Sequence, residues 1–263
     1  MMRVWVIVGV GLAAIVTVLF LPPIPQDPAY HDFADGRRFL GIPNALNILS
    51  NAPFVLVGAL GWTFLLRQGR PRADGPLTEP WERSVLLILF AGIGLIGLGS
   101  AYYHLAPGNV TLFWDRLPMT IVFMSLLAVI IAERISLTAG RRLLPILLLA
   151  GAGSVVYWLV GELSGAGDLR LYALVQFFPL VAIPLMLLLF PPRYTRGADL
   201  VGALAWYALA KLFELLDAQI FAVAGVVSGH TLKHLASAVA MYWILRMVRL
   251  RRPLSGTPSE SRR

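Results

Sequence analysis

The sequence has no cysteine and few charged residues. Without cysteine, the chain cannot use disulfides, thiolate metal sites or a cysteine nucleophile. Charged residues make up 14% of the 263 residues, whereas about 25% is usual in soluble domains. Hydrophobic residues reach 58%, with a mean hydropathy of +0.75, an excess that cannot all be packed into a soluble core. The composition therefore indicates a membrane protein, and the apolar runs recur without a soluble-looking insert.

Eight segments have the roughly 20 mostly apolar residues that a membrane-spanning helix needs. The first ends in a proline-rich stretch without a small-x-small cleavage site, which favours a retained helix over a cleaved signal peptide. The seventh carries three charged residues, Lys211, Glu214 and Asp217. The predicted fold is therefore an all-α polytopic transmembrane bundle, with spans at 4–21, 47–66, 84–105, 112–132, 143–160, 171–190, 200–221 and 228–248.

The distribution of positive charge orients this bundle. Arginines cluster in the loops after the second, fourth and sixth spans and after the eighth, whereas the 3–4 and 7–8 loops have no Lys or Arg. The positive-inside rule then places both termini in the cytoplasm, and it explains the net charge of +8 better than nucleic-acid binding does. The short loops suggest a bacterial inner membrane. The predicted domains are an N-terminal transmembrane helix (1–22), an outer loop (23–46), a membrane domain (47–249) and a disordered basic tail (250–263).

Three of the four histidines are expected at one membrane face. His104 ends the third span, which runs outward, and His230 and His234 begin the eighth, which runs inward. A spacing of four residues puts His230 and His234 on one face of a helix, about 6 Å apart. Two such imidazoles can share a tetrahedral Zn²⁺ with a third ligand, which leaves one position for water. The alternative is a pair of polar residues at a helix end. His31, in the first outer loop, is interpreted as a solvated histidine.

Two further polar side chains are expected at the same membrane depth as His104. Ser100 lies four residues before it on the same helical face, and Asp115 begins the next span after a short turn. A carboxylate inside a membrane segment is costly and usually faces the bundle interior with a partner. We interpret Asp115 as an acid/base group beside a metal-bound water, and the alternative is a surface pair with Arg116. Polar residues in the stretch 47–51 are expected to form interhelical hydrogen bonds.

The order of these motifs resembles the alkaline ceramidase family, which belongs to a superfamily of seven-helix membrane hydrolases that includes the adiponectin receptors. That family has SxxxH on one helix, an Asp that starts the next helix, and HxxxH on the last. Here they correspond to the stretches 99–104, 115–119 and 230–234, and Asn-Ile-Leu-Ser-Asn at 47–51 resembles the NxxSN stretch of the family's first helix. The resemblance implies a seven-helix core preceded by one extra N-terminal helix.

The resemblance also implies a function and a set of site residues. Zn²⁺ would be held by the three histidines, with Ser100 and Asp115 as the catalytic groups. The family cleaves the amide of ceramides to a sphingoid base and a fatty acid, so a ceramide-like N-acyl lipid is the expected substrate. A Ca²⁺ site is doubtful, because Asn44 stands where an acidic ligand is expected and the acidic residues before it are not in register (Asp27, Asp32 and Asp35).

Three other functions stay open. The first is a receptor-like or structural membrane protein of the same superfamily, which keeps the metal without turnover. The second is a haem protein, although His230 and His234 on one helical face suit a small shared ion better than haem iron. The third is a transporter or proton site that uses the charges of the seventh span, although no inverted repeat supports it. A buried pair between Lys211 and Glu214 is the simpler interpretation of those charges.

Overall fold

The computed structural model describes residues 1–254 as a bundle of α-helices with a short 3-10 helix at Pro28–His31. In this part of the chain, the only β contacts are two isolated bridges. The predicted all-α polytopic fold is therefore confirmed. The helices are α1 (Met2–Phe20), α2 (Ala45–Leu49), α3 (Ala52–Arg67), α4 (Pro80–Leu105), α5 (Asn109–Arg134), α6 (Leu137–Leu163), α7 (Arg170–Leu189), α8 (Ala198–Leu215), α9 (Asp217–Ala224) and α10 (Gly229–Leu250).

Six helical segments of residues 1–254 are long and apolar enough to cross a membrane, namely α1, α2 together with α3, α4, α5, α6 and α7. The neighbouring long helices α8 and α10 carry ionisable side chains that form ion pairs with each other. Glu214 of α8 lies 2.7 Å from Lys233 of α10, and Asp199 of α8 lies 2.6 Å from Arg246 of α10. The chain is thus a multi-pass membrane protein in which ion pairs join two of the more polar helices.

Two of the predicted spans are interrupted at the end of the bundle where the three histidines lie. The second, expected at 47–66, is split into α2 and α3 around Ser50, because Pro53 has no N–H to continue the helical hydrogen bonds. The seventh, expected at 200–221, breaks at Leu216, where φ is −101° and ψ is 21°. Both breaks place polar side chains beside the histidines.

Helix α1 lies on the outside of the bundle against α7. None of its residues is buried. Arg3 donates a hydrogen bond of 2.9 Å to the Leu189 carbonyl oxygen, and Arg170 of α7 donates one of 3.3 Å to the Leu19 carbonyl oxygen. The extra N-terminal helix is therefore peripheral and contributes nothing to the histidine cluster.

The chain beyond α10 begins with an ordered segment. Arg251 is 1% exposed and forms an ion pair with Glu133. The next residue, Arg252, accepts a hydrogen bond of 2.8 Å from Thr195 N through its carbonyl oxygen. Two residues of the predicted tail, Arg251 and Arg252, thus contact the bundle, and 255–263 lie outside the described part of the chain.

Candidate metal centre and active site

The three predicted ligand histidines form a buried triangle. His104 lies in the last turn of α4, and His230 and His234 lie in the first turns of α10. Their ring centroids are 4.8 to 5.0 Å apart, and one nitrogen of each ring lies within 4.8 Å of the others. Within residues 1–254, this is the one group of three or more histidine and acidic side chains that could hold a metal ion. The predicted convergence of the three histidines is confirmed.

The separation of two of the ring nitrogens suits a tetrahedral ion. His104 Nε2 and His234 Nε2 lie 3.4 Å apart, close to the edge of a tetrahedron whose metal–nitrogen bonds are about 2.0–2.1 Å. His234 Nδ1 lies 2.8 Å from Ser50 Oγ, which itself lies 3.0 Å from the Asn47 carbonyl oxygen. A hydroxyl that donates its one proton to that carbonyl can accept from Nδ1–H, and this tautomer leaves the lone pair of His234 Nε2 for a metal. The residues present therefore fit Zn²⁺.

Side-chain caps fix the first turn of α10. Ser228 Oγ accepts a hydrogen bond of 3.2 Å from Thr231 N, and Asp217 Oδ1 accepts one of 2.6 Å from His230 N. These two N–H groups have no partner within the helix. Thr231 Oγ1 donates to Asn47 Oδ1 at 2.8 Å, which joins α10 to α2. The expectation that the polar residues of 47–51 bond to a neighbouring helix is confirmed.

The segment between α1 and α2 covers the triangle. The ring of Phe33 lies 4.5 Å from that of His104 and 4.6 Å from that of His230, measured between centroids. The next residue, Ala34, donates a backbone hydrogen bond of 3.0 Å to Asp217 Oδ2. This covering segment places an apolar ring over the candidate metal site and limits its contact with water.

His31 is half-buried and bonded rather than solvated. Its Nδ1 lies 2.8 Å from the Tyr103 hydroxyl, and its Nε2 lies 3.0 Å from Asn109 Oδ1. These partners belong to the facing ends of α4 and α5. The prediction of a solvated His31 is wrong, because the covering segment folds back over the bundle instead of extending into solvent.

Ser100 and Asp115 lie on facing helices beside the triangle. Both side chains are buried, they are hydrogen-bonding neighbours, and they line the same cavity as His234. The structure thus brings together the two predicted catalytic side chains. The alternative of a surface pair between Asp115 and Arg116 is excluded, because Arg116 is 5% exposed and donates instead to Gln26 Oε1 at 2.6 Å.

A cavity of about 270 Å³ adjoins these residues. Its lining is mostly apolar and comes from α3, α4, α5, α7, α8 and α10. It extends to Phe177 of α7 and Lys211 of α8, which are both partly exposed on the outside of the bundle. The buried polar side chains beside the triangle therefore face an apolar space between helices. The apolar lining includes Phe54, Ile96, Met119, Val122, Phe123 and Met241.

Ionisable side chains form one wall of the cavity. Glu214 lies 2.6 Å from Lys211 and 2.7 Å from Lys233, and it also accepts a hydrogen bond of 3.3 Å from the Tyr30 hydroxyl. Burial and the charge of Glu214 raise the pKa of Tyr30, so this hydroxyl stays a donor. The predicted pair of Lys211 and Glu214 is confirmed. Sequence reasoning missed Lys233, although a cation between two ligand histidines in an apolar segment was a usable signal.

Three of the four residues considered for Ca²⁺ have side-chain partners within the protein. Asn44 Nδ2 donates a hydrogen bond of 3.0 Å to the His104 carbonyl oxygen. Asp27 Oδ1 accepts from Ala29 N at 2.9 Å, and the carboxylate of Asp35 pairs with Arg37 at 2.7 Å. Asn44 thus helps to position His104, a candidate metal ligand.

Comparison with known proteins agrees with this site. No curated protein and no solved structure gives a match. A match to the ceramidase family spans residues 41–187. The matched stretch contains Ser100, His104 and Asp115, and the two histidines of α10 lie beyond it. Since the match covers more than half of the chain, this protein belongs to the ceramidase family.

Proposed function

We propose that the protein is a zinc-dependent membrane hydrolase that cleaves the amide bond of ceramide or a related N-acyl lipid to a free fatty acid and an amine. Membership of the ceramidase family supports hydrolysis of this type. The observation that carries the proposal is the 3.4 Å separation of His104 Nε2 and His234 Nε2 beside an apolar cavity. Two buried ring nitrogens at this separation suit a shared cation.

Asp115 and Ser100, which lie beside the triangle, have separate roles in amide hydrolysis. Bound Zn²⁺ would act as a Lewis acid and lower the pKa of water. Asp115 accepts the proton of the attacking water as the new C–O bond forms, and passes it to the amide nitrogen as the C–N bond breaks. Ser100 donates a hydrogen bond to the carbonyl oxygen as negative charge develops on it, a contact that is typically worth about 3–4 kcal/mol.

The apolar cavity suits the hydrocarbon part of a lipid amide. The acyl chain would lie among the apolar side chains of α5, α7 and α10, with its carbonyl at the histidine end. From the charge distribution, we place that end near the outer face of a bacterial inner membrane, with both termini in the cytoplasm.

Metal content and lipid-amide turnover of the same purified preparations test this proposal. Wild-type protein should contain about one zinc ion per chain and should release fatty acid from N-acyl sphingoid bases. His230→Ala should lose both properties. His31→Ala is a matched control, because it removes a histidine outside the triangle and should retain zinc.

Three results would contradict the proposal in different ways. Zinc retained at the wild-type level in His230→Ala would remove His230 from the site. Zinc without turnover of any lipid amide would favour the receptor-like alternative. A haem absorption band in the visible spectrum would favour a haem protein.

A further inference from the structure

We infer that Arg116 determines substrate specificity by binding an anionic group, a carboxylate or phosphate, on the amine half of the lipid amide. This inference rests on the proposed function. It concerns a residue that adjoins Asp115 in sequence and lines the same cavity.

Arg116 is a buried cation without a carboxylate partner. Its side chain forms no ion pair within residues 1–254. Nη2 donates to Gln26 Oε1 at 2.6 Å, whereas Nη1 has no acceptor in the described part of the chain. A buried charge is costly unless it is paired. An anion from outside the chain would therefore complete the site.

Three aromatic rings hold the guanidinium in place. Its central carbon lies 4.3 Å from the ring centroid of Trp158, 4.9 Å from that of Tyr172 and 5.5 Å from that of Tyr30. These contacts offset part of the cost of burial and restrain the planar group. A restrained guanidinium matches the two oxygens of a carboxylate or phosphate.

Of the three cations that line the cavity, Arg116 is the one without an ion pair to the described residues. Lys211 and Lys233 share the carboxylate of Glu214, and Asp115 is the neighbour of Ser100. An anionic group would balance the remaining positive charge. We assign this group to the amine half of the substrate, since the acyl half occupies the apolar lining and Asp115, next to Arg116, protonates the amine nitrogen.

Three amides with one acyl chain and two-carbon amines test the inference: N-palmitoylethanolamine, N-palmitoylglycine and N-palmitoyl-phosphoethanolamine. Wild-type kcat/KM should be about tenfold or more higher for the two anionic amides, as expected for a charged hydrogen bond. Arg116→Gln should remove that preference, and Arg116→Lys should restore part of it. Gln26→Leu is the matched control, because it removes the partner of Nη2 and keeps the guanidinium, so the preference should remain.

Either of two kinetic results would overturn the inference. One is equal wild-type kcat/KM for neutral and anionic amides. The other is a loss in Arg116→Gln by the same factor for all three substrates, which would show that Arg116 only supports the fold.

A binding measurement separates this inference from the hydrolase proposal. Dodecyl phosphate should raise the Tm of wild-type protein in detergent more than dodecanol does, and Arg116→Gln should lose this difference. If no amide is hydrolysed but this pattern appears, the hydrolase proposal fails and the anion site stands. Equal stabilisation of both variants by dodecyl phosphate would overturn the site. Equal stabilisation of wild type by inorganic phosphate would overturn its assignment to a lipid.

Discussion

Asp217 Oδ1 accepts a 2.6 Å hydrogen bond from the backbone nitrogen of His230, while its Oδ2 accepts one of 3.0 Å from that of Ala34. One carboxylate thus connects the first turn of the ligand helix to the segment that covers the candidate metal site. The covering segment and the first turn of α10 are far apart in sequence, so their relative position depends on this contact.

Replacing Asp217 by alanine should destabilise the protein and lower its affinity for zinc. The change leaves two backbone N–H groups without their acceptor and removes a negative charge near a helix N-terminus, at a cost of about 1–3 kcal/mol. Thermal unfolding in detergent and zinc content after dialysis against a chelator would measure both effects. Asp217→Asn keeps one acceptor oxygen and should be intermediate. Wild-type stability and zinc retention in Asp217→Ala would contradict this role.

Replacing Ser50 by alanine should weaken metal binding with little change in fold. Its hydroxyl orients His234, and the loss of such a partner typically costs about 10–100-fold in metal affinity. Competition with a chelator of known affinity would measure the change. Ser125→Ala is a suitable control, since it deletes a buried hydroxyl that has no partner within residues 1–254. If both variants bind zinc equally, Ser50 does not orient the ligand.

Asp115→Asn should lower amide turnover while the zinc content stays unchanged. A positioned acid/base group contributes about 10²–10⁴-fold to rate, and asparagine cannot carry the proton. Single-turnover release of fatty acid from detergent-solubilised substrate would measure the loss, with metal analysis of the same sample as its control. Turnover within about tenfold of wild type would remove Asp115 from proton transfer.

Acid should erase the stabilising effect of Asp35. The hydrogen bond from Arg37 lowers the pKa of Asp35 despite the opposing effect of burial. A carboxyl group with a lowered pKa stabilises the fold fully above its pKa in the unfolded state, about 3.9. This stabilisation is lost as the pH falls through its pKa in the folded state. Asp35→Asn should therefore lower Tm at pH 7, and the gap should close below about pH 4. A gap that stays constant down to the acid limit of folding would contradict this.

The triangle could be predicted from sequence because two simple regularities determine it. Helical periodicity puts His230 and His234 on one face, and the order of spans brings His104 to the same end of the bundle. The extent of the apolar runs also predicted the outer bounds of the helices to within four residues, except for the start of α6, which lies six residues earlier than predicted. The break at Leu216 was not predicted. It depends on the hydrogen bonds that the next residue, Asp217, accepts from distant parts of the chain, and no local sequence pattern shows these.

The covering segment could not be predicted, because irregular chain has no periodicity that indicates its neighbours. Phe33 reaches the triangle, and His31 reaches Tyr103, through tertiary contacts alone. Arg116 was similarly ambiguous, since its sequence position suits both a surface pair and a buried cation. Only the folded chain shows Gln26 and the aromatic rings around it.

Close approach of α4 and α5 at Gly99 positions the proposed catalytic pair, Ser100 and Asp115. This predicts opposite outcomes for two glycines of one helix. A Cβ at Gly99 would lie 2.0 Å from the Trp114 carbonyl oxygen, whereas one at Gly94 meets no atom within 4 Å. Gly99→Ala must therefore push α5 outward and move Asp115 away from Ser100. Such overpacking costs about 1–3 kcal/mol, and a displacement of about 1 Å can lower turnover about 100-fold.

Gly94→Ala provides the control for that experiment, because it makes the same chemical change on the same helix without a clash. Its stability should rise slightly, by up to about 1 kcal/mol from helix propensity, and its turnover should match wild type. Both variants would be compared by Tm, zinc content and kcat/KM on one substrate. Full activity in Gly99→Ala would mean that catalysis does not depend on the spacing of α4 and α5, and the paired roles of Ser100 and Asp115 would then have to be abandoned.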